Sequence, residues 1–256
     1  MSLIFSHLYK TENMKKIVWV LFLFSCVAII SKATILEKNM QSIDTPKGAW
    51  QLLQGDLEYA LIAADGYCMV AQFDKNNKKF IGSYGGPFKI ENNKWIVDVQ
   101  FHTLDKTLVG KPAIFDWKPQ KNKVVTNMSG TPAEWTQTDI GGKNLEGNWR
   151  ITQRKQEDGK MSEIPLRARR TLKLLSSSRF QWAAINIETG EFFGTGGGTY
   201  TFKDGKYTEQ IEFFSRDNSR VGASLTFDAK IEEGNWIHSG LSSKGDPIYE
   251  VWGRMK

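Results

Sequence analysis

Thr199-Tyr200-Thr201-Phe202-Lys203, then Asp204-Gly205, then Lys206-Tyr207-Thr208-Glu209-Gln210-Ile211-Glu212-Phe213 reads as a β-hairpin. From Lys206 to Phe213 aromatic or aliphatic residues alternate with polar ones, the period of a strand with two unlike faces. Asp-Gly is a strong signal for the two-residue turn that joins such strands. Lys94 to Phe101 alternates in the same way, and Asn92-Asn93 takes the place of the turn.

Working outward, Phe193 to Tyr200 resembles Ile81 to Phe88 at an offset of 112 residues. At that offset Trp95 meets Tyr207, Phe101 meets Phe213, Val109-Gly110 meets Val221-Gly222 and Phe115-Asp116 meets Phe227-Asp228. Gly48-Ala49-Trp50 resembles Gly147-Asn148-Trp149 at an offset of 99, Ser129-Gly130 resembles Ser239-Gly240, and Trp135 resembles Trp252. Matches in one order through both halves signal duplication of a whole domain, joined near Ile140-Gly141-Gly142-Lys143. In the second copy eight strands are predicted, near 148–154, 168–175, 179–187, 191–202, 206–215, 220–230, 235–241 and 247–255. Asp65-Gly66, Asp158-Gly159 and Glu233-Gly234-Asn235 supply further turns. Eight short consecutive strands predict an all-β fold, two tandem up-and-down antiparallel barrels, because closure removes exposed sheet edges. The expected layout is a signal peptide over 1–33, linker 34–46, first barrel 47–139, linker 140–146 and second barrel 147–256. Gly194 to Gly198 lacks the Lys-Ser/Thr and the helix of a phosphate loop, and is expected to be a bulge or bend that lets the barrel close.

Met14-Lys15-Lys16, the 14-residue apolar run Ile17–Ile30 and Ser31-Lys32-Ala33 have the form of a secretory signal peptide cleaved after Ala33, with Met14 the true start. The implied location is periplasmic or secreted; the alternative is a lipoprotein anchored through Cys26. Removing residues 1–33 takes 34 basic and 28 acidic residues to 30 and 27, so a net charge of +6 falls to +3. Residues 34–143 then carry +1 and residues 144–256 carry +2. That near-balance removes the motive for a nucleic-acid partner. Two cysteines and three histidines exclude a disulfide scaffold and a His- or thiolate-rich metal centre. Cys68, between Tyr67 and Met69, is expected to be a buried inert thiol.

Gly147 and Trp149 on the first strand of the second copy, with Arg254 at the end of its last, look like the lipocalin-type (calycin) barrels. The stretches around Gly198–Thr201, Tyr207–Glu209 and Glu250–Arg254 resemble an uncharacterised lipocalin-like family of exported bacterial proteins. The resemblance implies that the Trp crosses the closed end and that the Arg packs on it, with Trp252 in the same closed-end motif. The first copy keeps Gly48 and Trp50, but Gln137 stands where Arg254 would fall, and every arginine of the chain lies in the second half.

Alternation places Trp95, Val97, Val99 and Phe101 inside the first barrel and Tyr207, Glu209, Ile211 and Phe213 inside the second. Glu209 then needs a partner, expected to be Arg254 or another inward arginine, or else serves as a polar anchor in a ligand pocket. Glu250 shares a face with Trp252 and Arg254. Trp182, Trp236 and His238, with Tyr207, Glu209, Ile211, Phe213 and Glu250, form the candidate ligand set; His238 is expected to be a satisfied structural group. His102 falls on the outer face. Arg167, Arg169, Arg170 and Lys173 form the densest basic cluster, a candidate for binding an anionic glycan, lipid head group or nucleic acid; because alternation puts Arg169 and Arg170 on opposite faces, it reads rather as a solvated face with one inward arginine. No nucleophile–His–Asp constellation is present, so no catalytic residue, metal or cofactor is expected.

The expected function is that of a monomeric, non-catalytic binding protein for a small hydrophobic or amphipathic ligand, with the second barrel the better site. The alternative is an envelope-associated protein or glycan interaction module whose barrels are filled by side chains. A calycin-type enzyme using Glu209 or Glu250 as acid or base is the third reading. A cavity of roughly 300 Å³ or more separates the first from the second.

Overall fold

The computed structural model describes residues 46–142, 145–242 and 244–255. The expected signal peptide, the start at Met14 and Cys26 lie outside them. The first half forms β1 (Gly48–Gln54), β2 (Leu57–Ala64), β3 (Tyr67–Asp74), β4 (Lys79–Glu91), β5 (Lys94–Asp98), β6 (Phe101–His102), β7 (Pro112–Asp116), β8 (Lys118–Pro119), β9 (Lys123–Thr126) and β10 (Ala133–Asp139). The second half forms β11 (Gly147–Lys155), β12 (Met161–Glu163), β13 (Arg169–Leu175), β14 (Arg179–Asn186), β15 (Phe192–Lys203), β16 (Lys206–Phe214), β17 (Ser224–Glu232), β18 (Asn235–Leu241) and β19 (Pro247–Arg254).

All strand pairings are antiparallel and most join sequence neighbours, and β11 pairs with β13 and β19, which closes the second sheet into an eight-strand up-and-down barrel. The turn residues behave as their chemistry requires: Asn92 and Asn93, like Asp204 and Gly205, all have positive φ. Two details differ from the sequence reading. The strand expected from residue 220 starts at Ser224, after a 3-10 turn Asn218–Arg220 whose cap, Asp217, accepts from the Ser219 amide. The short strand β12, paired with β11, was not anticipated.

The offset of 112 holds in three dimensions. The 3-10 turn Lys106–Leu108, capped by Asp105, stands 112 residues before its counterpart, and β3 stands 112 before β14. In the first barrel the strand equivalent to β17 is interrupted at Trp117, which turns inward onto Trp50 and Trp95 with ring centroids 5.4 and 4.4 Å apart. That break separates β7 from β8 and leaves this barrel nearly closed.

A bulge in each barrel overturns part of the inside–outside assignment. Gly198 pairs with Ile211 but Gly197 pairs with Phe213, one extra residue on β16. A Cβ on Gly198 would sit 2.0 Å from the Gln210 carbonyl oxygen, and one on Gly86 2.0 Å from that of Asp98, so only glycine permits the approach. Beyond the bulge the faces exchange. Trp95, Val97 and Val99 line the first interior as expected, but Phe101 packs with Ile62, Met69, Leu172 and Leu174. Phe213 packs with Ala60, Ala71 and Phe73, its ring 4.8 Å from that of Phe73. Both phenylalanines therefore lie between the barrels.

The barrels meet through equivalent strands, β2 and β3 against β13 and β14. This explains the near-continuous apolar runs of β2 and β3: one face packs inside its own barrel and the other against the neighbour. The seam holds polar ties as well. Arg179, buried, bridges Glu212 (2.8 Å) and Glu58 (3.3 Å). Asp139 accepts from the Ser176 and Ser178 hydroxyls at 2.7 and 2.5 Å. Cys68 is a buried free thiol.

Candidate functional site

The closed end of the second barrel is built as the sequence implies. Trp149 donates from its indole nitrogen to the Leu145 carbonyl at 3.0 Å. The Arg254 guanidinium stands 5.7 Å from the Trp149 ring. It does not reach Glu209: it forks onto Asp65 of the first barrel with two bonds of 2.7 Å. In the first barrel, where Trp50 pairs with Gln137 as Trp149 pairs with Arg254, Trp117 makes the contact on the closed-end indole.

Above the closed end lies a polar centre set in aromatic rings. Glu209 points inward as expected, but its partner is Lys173, and both side chains are 6–7% exposed. Lys173 is thus no part of a solvated face. Its ammonium stands 4.9–5.7 Å from the rings of Phe180, Tyr207, Trp236 and Trp252. Glu250 accepts from Arg154 at 2.7 Å and from the Trp252 indole at 3.1 Å. The His238 ring lies 4.2 Å from that of Phe227, tilted by 44°. Its Nδ1 faces Glu250 Oε2 at 3.7 Å, longer than a hydrogen bond, and no other described group meets either ring nitrogen. Burial, reinforced by the Lys173 charge, holds the His238 imidazole below its ordinary range against the pull of Glu250 and Glu209. Glu250 is lowered because His238 and Arg154 outweigh the effect of its burial. The corresponding residues of the first barrel are Leu61, Val97, Thr126 and Ala133, so this polar centre belongs to the second barrel alone.

At the far end β11 and β13, paired only up to Arg150 and Leu172, diverge. A cavity of about 680 Å³ opens there. Its wall carries Arg150, Arg154, Arg167, Arg169, Arg170 and Arg216, with Ile151, Trp182 and Phe193 as apolar surface and Glu163 as the one lining carboxylate. Of the basic residues read from the sequence as a solvated face, Arg167 and Arg169 are exposed and Arg170 is half-buried, and all three line this open mouth. Of the candidate ligand set Trp182 lines this cavity. Tyr207, Glu209, Ile211, Trp236, His238 and Glu250 are buried in the second half without lining it, and Phe213 lies between the barrels.

The first barrel has a cavity of about 360 Å³ at the equivalent place. Tyr59, Val70 and Gln72 stand there where Thr171, Trp182 and Ala184 stand in the second. His102, expected on the outer face, lines it and stacks on Tyr84 with ring centroids 5.3 Å apart, because the bulge has exchanged the faces. Arg150 and Arg216 had no place in the sequence-based candidate set. The available signal was the restriction of all nine arginines to one half, six of which line this one cavity.

Comparison with curated proteins finds no match. Among solved structures, a lipocalin-like protein from Bacteroides uniformis is 13% identical with a TM-score of 0.31, over 43% of this chain and 98% of its own. An uncharacterised protein from Bacteroides eggerthii is 13% identical with a TM-score of 0.32, over 44% of this chain and 100% of its own. Residues 144–256, the segment that carries the closed barrel and its arginine-lined mouth, match the family described as a domain of unknown function (DUF4488).

Proposed function

We propose that this protein is a non-catalytic binding protein that takes a small amphipathic ligand into the open mouth of its second barrel. The observation that carries this reading is the cavity of about 680 Å³ in which the Trp182 and Phe193 rings stand beside polar side chains. Its volume lies within the range of small-molecule sites, and it combines apolar surface with a few placed polar groups. The alternative of a filled barrel describes only the lower half, where Trp149, Tyr207, Trp236 and Trp252 pack against one another. Glu209 and Glu250 are each held by a cation and do not line this cavity, which argues against acid–base chemistry through them on a ligand bound there.

The test is native mass spectrometry of protein isolated from its own host, followed by thermal-shift screening against lipids and glycans. A bound small molecule that is lost when Ala184, on the cavity wall, is replaced by Trp supports the reading. Unliganded protein together with no shift across the panel refutes it.

A further inference from the structure

We infer that the ligand of the second barrel is a small organic anion carrying at least two negative charges beside an aromatic or apolar ring. The inference rests on the reading of this cavity as a small-ligand site. Six arginines and one carboxylate, Glu163, line the open mouth, and among the described residues only Arg154 of the six has a carboxylate partner, Glu250. Four of the others, Arg150, Arg169, Arg170 and Arg216, meet neutral groups. Arg150 donates to the Ile151 and Ile164 carbonyls at 3.2 and 2.9 Å, Arg170 to the Arg167 carbonyl at 2.8 Å, and Arg216 to the Phe193 carbonyl. Arg169 stands 4.4 Å from the Phe193 ring. Such contacts orient the guanidiniums and leave their charge uncompensated. Like charges gathered around one cavity repel one another, and an anion placed among them relieves that repulsion. The planar fork of arginine fits carboxylate, sulfate and phosphate oxygens two at a time. Trp182 and Phe193, with Arg216 and Arg169 standing 6.0 and 4.4 Å from their rings, put apolar surface beside those forks, which selects an anion with an aromatic or apolar body over a bare inorganic one.

The duplication supplies an internal comparison. Leu104 lies over Gly82 in the mouth of the first barrel, and Arg216 lies over Gly194 in the mouth of the second, at the common offset of 112. The first barrel forms its mouth with no arginine at all. Fold and cavity therefore do not require the arginines; they are a property of the second site, and binding accounts for their convergence.

The experiment is isothermal titration of the whole protein with 2-naphthyl phosphate, 2-naphthol, inorganic phosphate and a single-stranded oligothymidylate. Because charge-assisted bonds are about twice as strong as neutral ones and a phosphate accepts several of them, 2-naphthyl phosphate is expected to bind at least about tenfold tighter than 2-naphthol. That preference should shrink several-fold between about 50 and about 500 mM salt. It should also fall in the Arg169→Gln/Arg216→Gln variant, whose thermal unfolding is checked alongside; the salt series on the unmodified protein guards against a misfolded variant. Inorganic phosphate should bind more weakly than 2-naphthyl phosphate. Equal affinity for 2-naphthol and 2-naphthyl phosphate overturns the anionic class and leaves the small-ligand reading standing. No binding by any naphthyl probe, with an empty native spectrum, overturns both. Tighter binding of the oligonucleotide than of 2-naphthyl phosphate overturns the inference in favour of a nucleic-acid site.

Discussion

Replacing Lys173 by Leu and Glu209 by Val writes into the second barrel what the first has at the same positions, Leu61 and Val97. Each change alone strands a charge. Both side chains are only 6–7% exposed, so water cannot replace the missing partner. Breaking a buried pair on one side costs about 3–5 kcal/mol, whereas replacing both partners with well-packed apolar residues is neutral or stabilises by about 1–4 kcal/mol. Lys173→Leu should therefore be the most damaging of the three proteins, because a bare Glu209 carboxylate remains. Glu209→Val should fall toward the lower end of that range, since the four rings within 5.7 Å still attract the ammonium. The double variant should be at least as stable as the parent, which implies a coupling of about 6 kcal/mol or more in a double-mutant cycle. For a folded unit of this size about 2–4 °C of Tm corresponds to 1 kcal/mol, so Lys173→Leu should melt roughly 6–20 °C lower. Urea unfolding followed by tryptophan fluorescence, with m-values compared, measures the same energies. Additive losses, or a double variant weaker than either single one, would show that the two ions are not each other's counter-charges.

Phe213→Ala removes a ring from the seam between the barrels and should cost about 3–5 kcal/mol; calorimetry should show the single transition broaden or split, while 2-naphthyl phosphate affinity is retained, and lost affinity with an unchanged melt would place the ring in the binding site instead. His238 is held neutral by burial, so the unfolded chain takes up a proton below about pH 6.5 that the folded one resists, and stability should fall from pH 6.5 toward pH 5. His102 shifts in the same direction for the same reason. His238→Phe should reduce that fall in the urea midpoint, and an unchanged pH dependence would remove His238 as its source. Burial pushes the Cys68 thiol up to about 12, so iodoacetamide at pH 8 should label Cys68 only in denaturant; fast labelling of the native protein would contradict its packing.

How much was legible depends on how local each feature is. The hairpin turns at Asn92-Asn93 and Asp204-Gly205 and the alternation of β16 follow from the conformations of a few adjacent residues, and they stand where the sequence placed them. The closed-end pair of Trp149 and Arg254 was legible because it recurs as a motif at the two ends of the chain segment that closes the barrel. Glu209 was legible as an inward carboxylate, but not its partner. Choosing Lys173 over Arg254 required knowing that Arg254 is taken by Asp65, a residue of the other barrel 189 positions away. Phe101 and Phe213 were misplaced because one inserted residue at the glycine bulge exchanges the faces, and strict alternation contains no term for it.

The sequence by itself determined two related up-and-down sheets, their turns, the aromatic lower interior and an excess of arginine in the second half. These depend on period, turn chemistry and composition, which are written residue by residue. Only the tertiary structure decided that Arg150, Arg169 and Arg216 share one cavity with Trp182, and that equivalent strands of the two barrels cover each other. Those outcomes depend on where β11 and β13 part, where a bulge turns a strand over, and which face a neighbouring barrel buries. Each is set by contacts between residues tens of positions apart, and no local pattern records them.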